Sequence, residues 1–182
     1  MSVKQPEKKR LAWALTGSGH YLRECLDIID SLEDVDLFVS KAAAEILQQY
    51  GYSHKVGRVF QDKTASAVPV ELFYHGVYHT VVIAPTSSNT VAKMVCGISD
   101  NLVTNIFAQA GKCRVPTIVF ACDTAPELES EAPRENMVKV YPRRIDLENM
   151  ERLKTFEATT VAADMQELEA AIRAQCPRAS SS

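Results

Sequence analysis

The sequence predicts an α/β fold in three layers, a mainly parallel sheet covered by helices on both faces. Two observations predict it. Apolar runs of strand length alternate with segments of helical period, the pattern of parallel strands joined by crossover helices. The runs also end in short polar or turn-forming segments, "TGSGH", "SKAA", "PTSSNT" and "ACDT", as expected where strands hand over to helices at the ligand-binding edge of such a sheet.

Taken in order, "RLAWALT" (10–16) forms the first strand and "HYLRECLDIIDSL" (20–32) a helix with Leu22, Leu26 and Ile29 on one side. Residues 35–40, "VDLFVS", form the second strand, and 41–50 a helix stopped by Gly51. The polar stretch 52–68 reads as a long loop. "PVELFYHG" (69–76) suits a strand or a short helix, and periodicity does not decide between them. "HTVVIA" (79–84) is a buried strand, and 89–110 is helical in two pieces because Gly97 interrupts it. "PTIVFA" (116–121) is the next buried strand. The proline- and acid-rich "CDTAPELESEAPREN" (122–136) suits an exposed excursion or lid. A strand at 137–142, a helix at 146–156 and a last helix at 164–175, opened by an Asp164/Glu167 capping box, complete the chain. Residues 1–9 read as a flexible tail, 10–176 as a single domain and 177–182 as a disordered tail.

Composition bounds the function. The chain has 182 residues, 46% hydrophobic and 24% charged, with a net charge of −3. About 150 residues bury roughly two-thirds of the unfolded chain's surface, so no disulfide or metal staple is required. Cys25, Cys96, Cys113, Cys122 and Cys176 form no CxxC pair and are odd in number, which argues for a reducing compartment and against a metal site. No apolar stretch reaches the length of a bilayer span and the amino terminus lacks a secretory apolar segment, so a cytoplasmic protein without membrane or nucleic-acid partners is expected.

Chemistry is expected where the strands end. In "TGSGH", Gly17, Ser18 and Gly19 stand between strand and helix, where backbone N–H groups and a helix start favour an anion. Either a phosphate cradle or a tight turn without a ligand fits these residues, and neither GxGxxG nor the triphosphatase loop is present. Ser40 and Lys41 add a hydroxyl and an ammonium at the next strand end. "PTSSNT" is the strongest signal, since one helix cap accounts for one hydroxyl and leaves the rest of Thr86, Ser87, Ser88, Asn89 and Thr90 in excess. Lys93 follows one helical turn later on the same side. "GISDNL" sets Ser99, Asp100 and Asn101 within a helix expected to be buried, where polar groups need partners from the chain itself, a second subunit or a ligand. His20, His54, His75 and His79 show no metal-ligand spacing, and solvated or core positions are the default for each. Arg143 and Arg144 suit either solvated charge or an anion contact.

With the strand ends collected, "VVIAPTSSNTVAKMVCGISDNL" resembles the hallmark of the flavoprotein superfamily that contains the homo-oligomeric flavin-containing cysteine decarboxylases and the flavin prenyltransferases. The resemblance implies a flavodoxin-like (Rossmann-like) sandwich and FMN as cofactor. It places Gly17, Ser18, Gly19, Ser40 and Ser88 around the phosphate and ribityl chain, and Pro85, Thr86, Ser87, Asn89 and Thr90 near the ribityl and isoalloxazine. Lys41, Ala121 and Cys122 complete the expected cofactor-binding set. It also implies homo-oligomers built from trimers, with flavin at subunit contacts.

The departures from the family choose the branch. Glu71 stands where the decarboxylases carry a catalytic histidine, and "FACDT" where they carry a Pro-x-Met-Asn clamp, so cysteine decarboxylation is not expected. The basic phosphate site that a prenyl donor needs is not evident either. "VPTIVFACD" and the carboxyl-terminal "KVYPRRIDLENMERLKTFEATTVAADMQELEAAI" resemble the branch of archaeoflavoproteins and dihydromethanopterin reductases. That branch implies hydride transfer from reduced flavin to a pterin imine, with a pterin substrate and an electron donor, NAD(P)H or a redox protein, as partners. Asp123 is then the candidate for gripping the pterin and Lys93 for stabilising the charge of the reduced flavin. The alternative is an FMN-bearing carrier that takes electrons from a ferredoxin.

Overall fold

The computed structural model describes residues 9–62, 67–132 and 136–176. In chain order the elements are β1 (Arg10–Leu15), α1 (Leu22–Ser31), β2 (Val35–Val39), α2 (Lys41–Tyr50), β3 (Arg58–Gln61), α3 (Ala67–Tyr74), β4 (Tyr78–Thr86), α4 (Ser88–Val95), α5 (Leu102–Lys112), β5 (Thr117–Ala121), β6 (Leu128–Ala132), β7 (Asn136–Val140), α6 (Arg144–Leu153), β8 (Thr159–Ala162) and α7 (Met165–Gln175). Six strands form one parallel sheet in the order β3-β2-β1-β4-β5-β8, and β6 and β7 form a separate antiparallel pair. The connections run outward in opposite directions from β1 and β4, so the crevice between those two strand ends is the switch point of this doubly wound, Rossmann-like sheet.

Strand alternation builds the two helical layers. Leu11, Trp13 and Leu15 of β1 share one core with Leu22 and Ile29 of α1, Ala43 of α2 and Leu168 of α7. Ala12 and Ala14 face the opposite core, with Phe73 of α3, Met94 of α4, Ile106 of α5 and Leu153 of α6. Those two small residues share that face with three larger rings. Phe73 lies 4.9 Å and Phe38 5.8 Å from Tyr78, centroid to centroid.

The amino-terminal edge of the sheet is locked by charge. Asp36 in β2 is fully buried, and its carboxylate accepts from Arg10 Nε at 2.6 Å and from the Tyr78 hydroxyl at 2.7 Å, with Arg58 Nη1 at 3.3 Å. Burial beside this anion pushes the Tyr78 phenol well above its ordinary value. Three strands thus meet on one carboxylate of β2, since β1, β4 and β3 contribute Arg10, Tyr78 and Arg58.

Several sequence expectations change. The stretch 52–68 is not simply a loop, because Arg58–Gln61 pairs with β2 as an edge strand and α3 begins at Ala67. "PVELFYHG" is resolved as helix, within Ala67–Tyr74. Thr159–Ala162 forms the opposite edge strand, which the sequence reading passed over. The acid-rich excursion contains β6, and the strand at 137–142 pairs with it rather than joining the main sheet. "GISDNL" is no buried helix, since residues 96–100 are exposed between α4 and α5. There Asp100 pairs with Lys93 at 2.7 Å, and Asn101 caps α5 in a reciprocal box with Thr104. The expected tails lie, apart from Lys9, outside the described residues. Among those residues no helix is long and apolar enough to cross a membrane.

Candidate functional site

The switch point carries a polar cleft of about 590 Å³. Gly17 enters it from the loop after β1, Ser40 and Lys41 from the start of α2, and Ser87, Asn89 and Thr90 from the start of α4. Asp62 after β3 and Asn101 at the start of α5 close the far side. Three helix amino termini therefore converge on one space, each capped by a side chain: Ser40 accepts from Ala43 N–H, Ser87 from Thr90 N–H, and Asn101 from Thr104 N–H. Converging N-termini supply partial positive charge and unpaired N–H groups, a setting for an anion.

The cleft's shape depends on close packing behind it. A Cβ on Gly17 would stand 2.6 Å from the Ala42 methyl, and one on Gly19 would stand 2.6 Å from the Tyr50 hydroxyl. At Gly17 the neighbour is a fixed Cβ, so there only glycine lets the loop after β1 lie against α2 this closely, whereas the Tyr50 side chain could swing away from Gly19.

The end of β4 is held by a side chain of β1 and by one from the residue that follows it. Its ladder to β5 shifts register between Ile83 and Thr86, and the Ala84–Pro85 peptide is cis. Trp13 Nε1–H donates to the Ala84 carbonyl at 2.7 Å, and the Thr16 hydroxyl donates to the Pro85 carbonyl at 2.8 Å. Thr16 Oγ1 in turn accepts from Ser87 N–H at 2.9 Å, so one buried hydroxyl fixes both sides of the turn that starts α4.

The expected site residues divide by what they touch. Gly17, Ser40, Lys41, Ser87, Asn89, Thr90 and Lys93 all line the polar cleft. Lys93 is not an isolated charge there, because Asp100 neutralises it and the Asp100 carboxyl is held below its usual range by that contact. Pro85 and Thr86 do not line this cleft: both are buried behind the turn, and the Thr86 hydroxyl is committed to the Ile83 carbonyl at 2.6 Å. Ser18 and Ser88 tie the neighbouring loops to the end of β5. The Ser18 hydroxyl lies 3.0 Å from Cys122 Sγ, and the Ser88 hydroxyl donates to Asp123. Burial pushes the Cys122 thiol up to about 12.

Ala121 and Cys122 face a second cleft, of about 430 Å³, beyond that tie. Its walls are His20 and Tyr21 at the start of α1, Leu128 and Glu129 of β6, Met137 of β7 and Asp164 before α7. Sequence reasoning missed Thr16, Asp62 and these walls. Thr16 had a signal, a hydroxyl at the last position before "GSG". Asp62 had none once β3 was read as loop. Arg143, at the amino terminus of α6, donates its backbone N–H and its guanidinium to Asp146. Among the described residues no group of histidine, cysteine and carboxylate side chains could hold a metal.

A protein-family profile described as Flavoprotein matches residues 2–177. The fold superimposes on the FMN complex of Burkholderia xenovorans DmrB, described as a cubic protein cage for redox transfer. That match has a TM-score of 0.85 and 49% identity, covering 93% of this chain and 96% of that one. An uncharacterized protein of Methanocaldococcus jannaschii is 33% identical, over 90% of this chain and 94% of its own length. A dihydromethanopterin reductase (acceptor) of Methanosarcina mazei is also 33% identical, over 69% of this chain. The matched segment spans 59% of that reductase's length.

Proposed function

The chain belongs to the Flavoprotein family, and from that premise we propose that it is an FMN-dependent oxidoreductase that reduces dihydromethanopterin to tetrahydromethanopterin. The observation that carries the proposal is the convergence of three capped helix starts and a row of hydroxyl and amide side chains on the switch-point cleft. A donor set of this kind fits a phosphate and a polyol chain, with backbone N–H groups for the anion and Ser40, Ser87, Asn89 and Thr90 for the hydroxyls. Gly17, Ser18 and Gly19 let the loop after β1 approach, and Lys41 adds charge. When bound, the flavin supplies the hydride.

The chain's own residues then orient and select. The Trp13 and Thr16 bonds fix the turn that carries Ser87, Asn89 and Thr90 into the cleft, so the cofactor meets preset donors rather than ordering them. Asp123, anchored by Ser88, stands at the end of β5, where a carboxylate suits the amino-pyrimidine edge of a pterin. The Lys93–Asp100 pair keeps the opposite rim close to neutral. The proposal includes a homo-oligomer. A cavity of about 390 Å³ beside exposed Ile98, lined by Met94, Phe107 and Phe156, supports such an assembly.

The test is optical. The purified protein should show flavin absorption bands that bleach on anaerobic reduction and return when dihydromethanopterin is added. Bands that stay bleached would favour the electron carrier, and a colourless protein that cannot be reconstituted with FMN would overturn the cofactor assignment.

A further inference from the structure

Reducing a C=N bond adds a hydride to carbon and one proton to nitrogen. The hydride brings both electrons, so an acid must stand beside the nitrogen. Imidazole is the side chain whose ordinary range lies nearest neutrality. Of the four histidines, His20 alone lines either of the two clefts at the carboxyl ends of the strands.

His20 is held in place from several sides. Its backbone N–H donates to Ser18 Oγ at 3.3 Å, and its ring meets the Tyr21 ring edge-on at 4.2 Å. Tyr21 leans in turn on Phe120 of β5, at 5.6 Å. Neither imidazole nitrogen is engaged by a hydrogen bond to a described residue, so both are available to the cleft. Burial is the largest influence and holds the imidazole below its ordinary range, while the Asp123 carboxylate, and then that of Glu24, works the other way and favours the proton. The carboxylates that line the cleft itself are Glu129 of β6 and Asp164 before α7, beside Tyr21, Thr124 and the protonated Cys122 thiol; Met137 of β7 is apolar.

We propose that the pterin's imine end occupies this second cleft and that His20 is the catalytic acid, giving its proton to the imine nitrogen. The inference rests on the pterin reductase reading above. In the step, an N–H bond of the imidazolium breaks and an N–H bond of the product amine forms. The imidazole is left neutral and regains a proton from water. Asp123 has a second part here, stabilising the imidazolium from the end of β5.

His20→Gln tests the assignment in the FMN-loaded protein. Dithionite should bleach the variant as it does wild type, and dihydropterin affinity should stay within about threefold. Single-turnover reoxidation by dihydropterin should be slower by about 100-fold or more, the usual share of a general acid. The wild-type rate should fall as pH rises through the His20 titration, and the slow variant rate should lose that limb. Asp123→Asn removes the carboxylate that raises His20, so it should move the limb to lower pH. In the FMN-free protein, the histidine resonance lost in H20Q should shift when dihydropterin is added. Equal reoxidation rates in H20Q and wild type, or an unmoved resonance, would overturn the assignment of His20 alone. A wild-type flavin that dihydropterin does not reoxidise would overturn the reductase reading and this proposal with it.

Discussion

Replacing Thr16 by valine asks whether one buried hydroxyl holds the site together. The residue is 2% exposed, and its oxygen donates to Pro85 O at 2.8 Å and accepts from Ser87 N at 2.9 Å. Valine keeps the shape and removes both bonds. A buried polar group left without a partner costs about 1–3 kcal/mol. Ser87 is half-buried, so water restores part of its loss, and the combined cost is about 2–3 kcal/mol. At about 2–4 °C per kcal/mol for a chain of this size, Tm should fall by about 4–12 °C. Thr16→Ser keeps the hydroxyl and loses one methyl, worth about 0.8 kcal/mol. Melting curves at one protein concentration, without FMN, should therefore separate T16V from T16S. Freed from its anchor, the start of α4 should also bind FMN about tenfold more weakly, a loss of about 1.4 kcal/mol. If T16V melts with T16S and binds FMN as wild type does, the claim that this hydroxyl organises the turn is refuted.

Three further perturbations probe other parts of the molecule. Gly17→Ala places a methyl 2.6 Å from the Ala42 Cβ; overpacking of about 1–3 kcal/mol should show as weaker FMN binding by fluorescence titration, and unchanged binding would contradict the close-approach argument. Asp36→Ala strands Arg10, Arg58 and Tyr78 around a vacated anion site; stability in urea should drop by about 3–5 kcal/mol, with FMN affinity in the folded protein little altered. Burial raises the Cys25 and Cys122 thiols, and for Cys122, at about 12, only about one molecule in ten thousand is thiolate at pH 8. Iodoacetamide should therefore leave both unmodified until the protein is unfolded, as peptide mass spectrometry would record.

What was legible in the sequence follows from how completely each segment is buried. The strands ending at Leu15, Val39 and Ala121 lie inside the sheet, and their unbroken apolar runs announced them. β3 and β8 are its edges, four residues each and only partly buried, so "RVFQ" and "TTVA" carry little hydrophobic signal. α3 remained ambiguous because "AVPVELFY" is apolar around most of its circumference. In the candidate site, "PTSSNT" was visible because hydroxyls exceed what a cap requires. The second cleft was not, since His20, Met137 and Asp164 are distant in sequence and meet only through the sheet order and the β6–β7 pair. "GISDNL" misled because its polar residues serve an exposed junction and the cap of α5, rather than a buried helix.

The β6–β7 ribbon is an attachment rather than a structural member. It shares no ladder with the six-stranded sheet, yet it contributes Leu128, Glu129 and Met137 to a wall of the second cleft. Variation in this ribbon can therefore resculpt the entrance to that cleft while the parallel framework stays as it is. Descendants of this chain have a way to change what they admit without relearning how to fold.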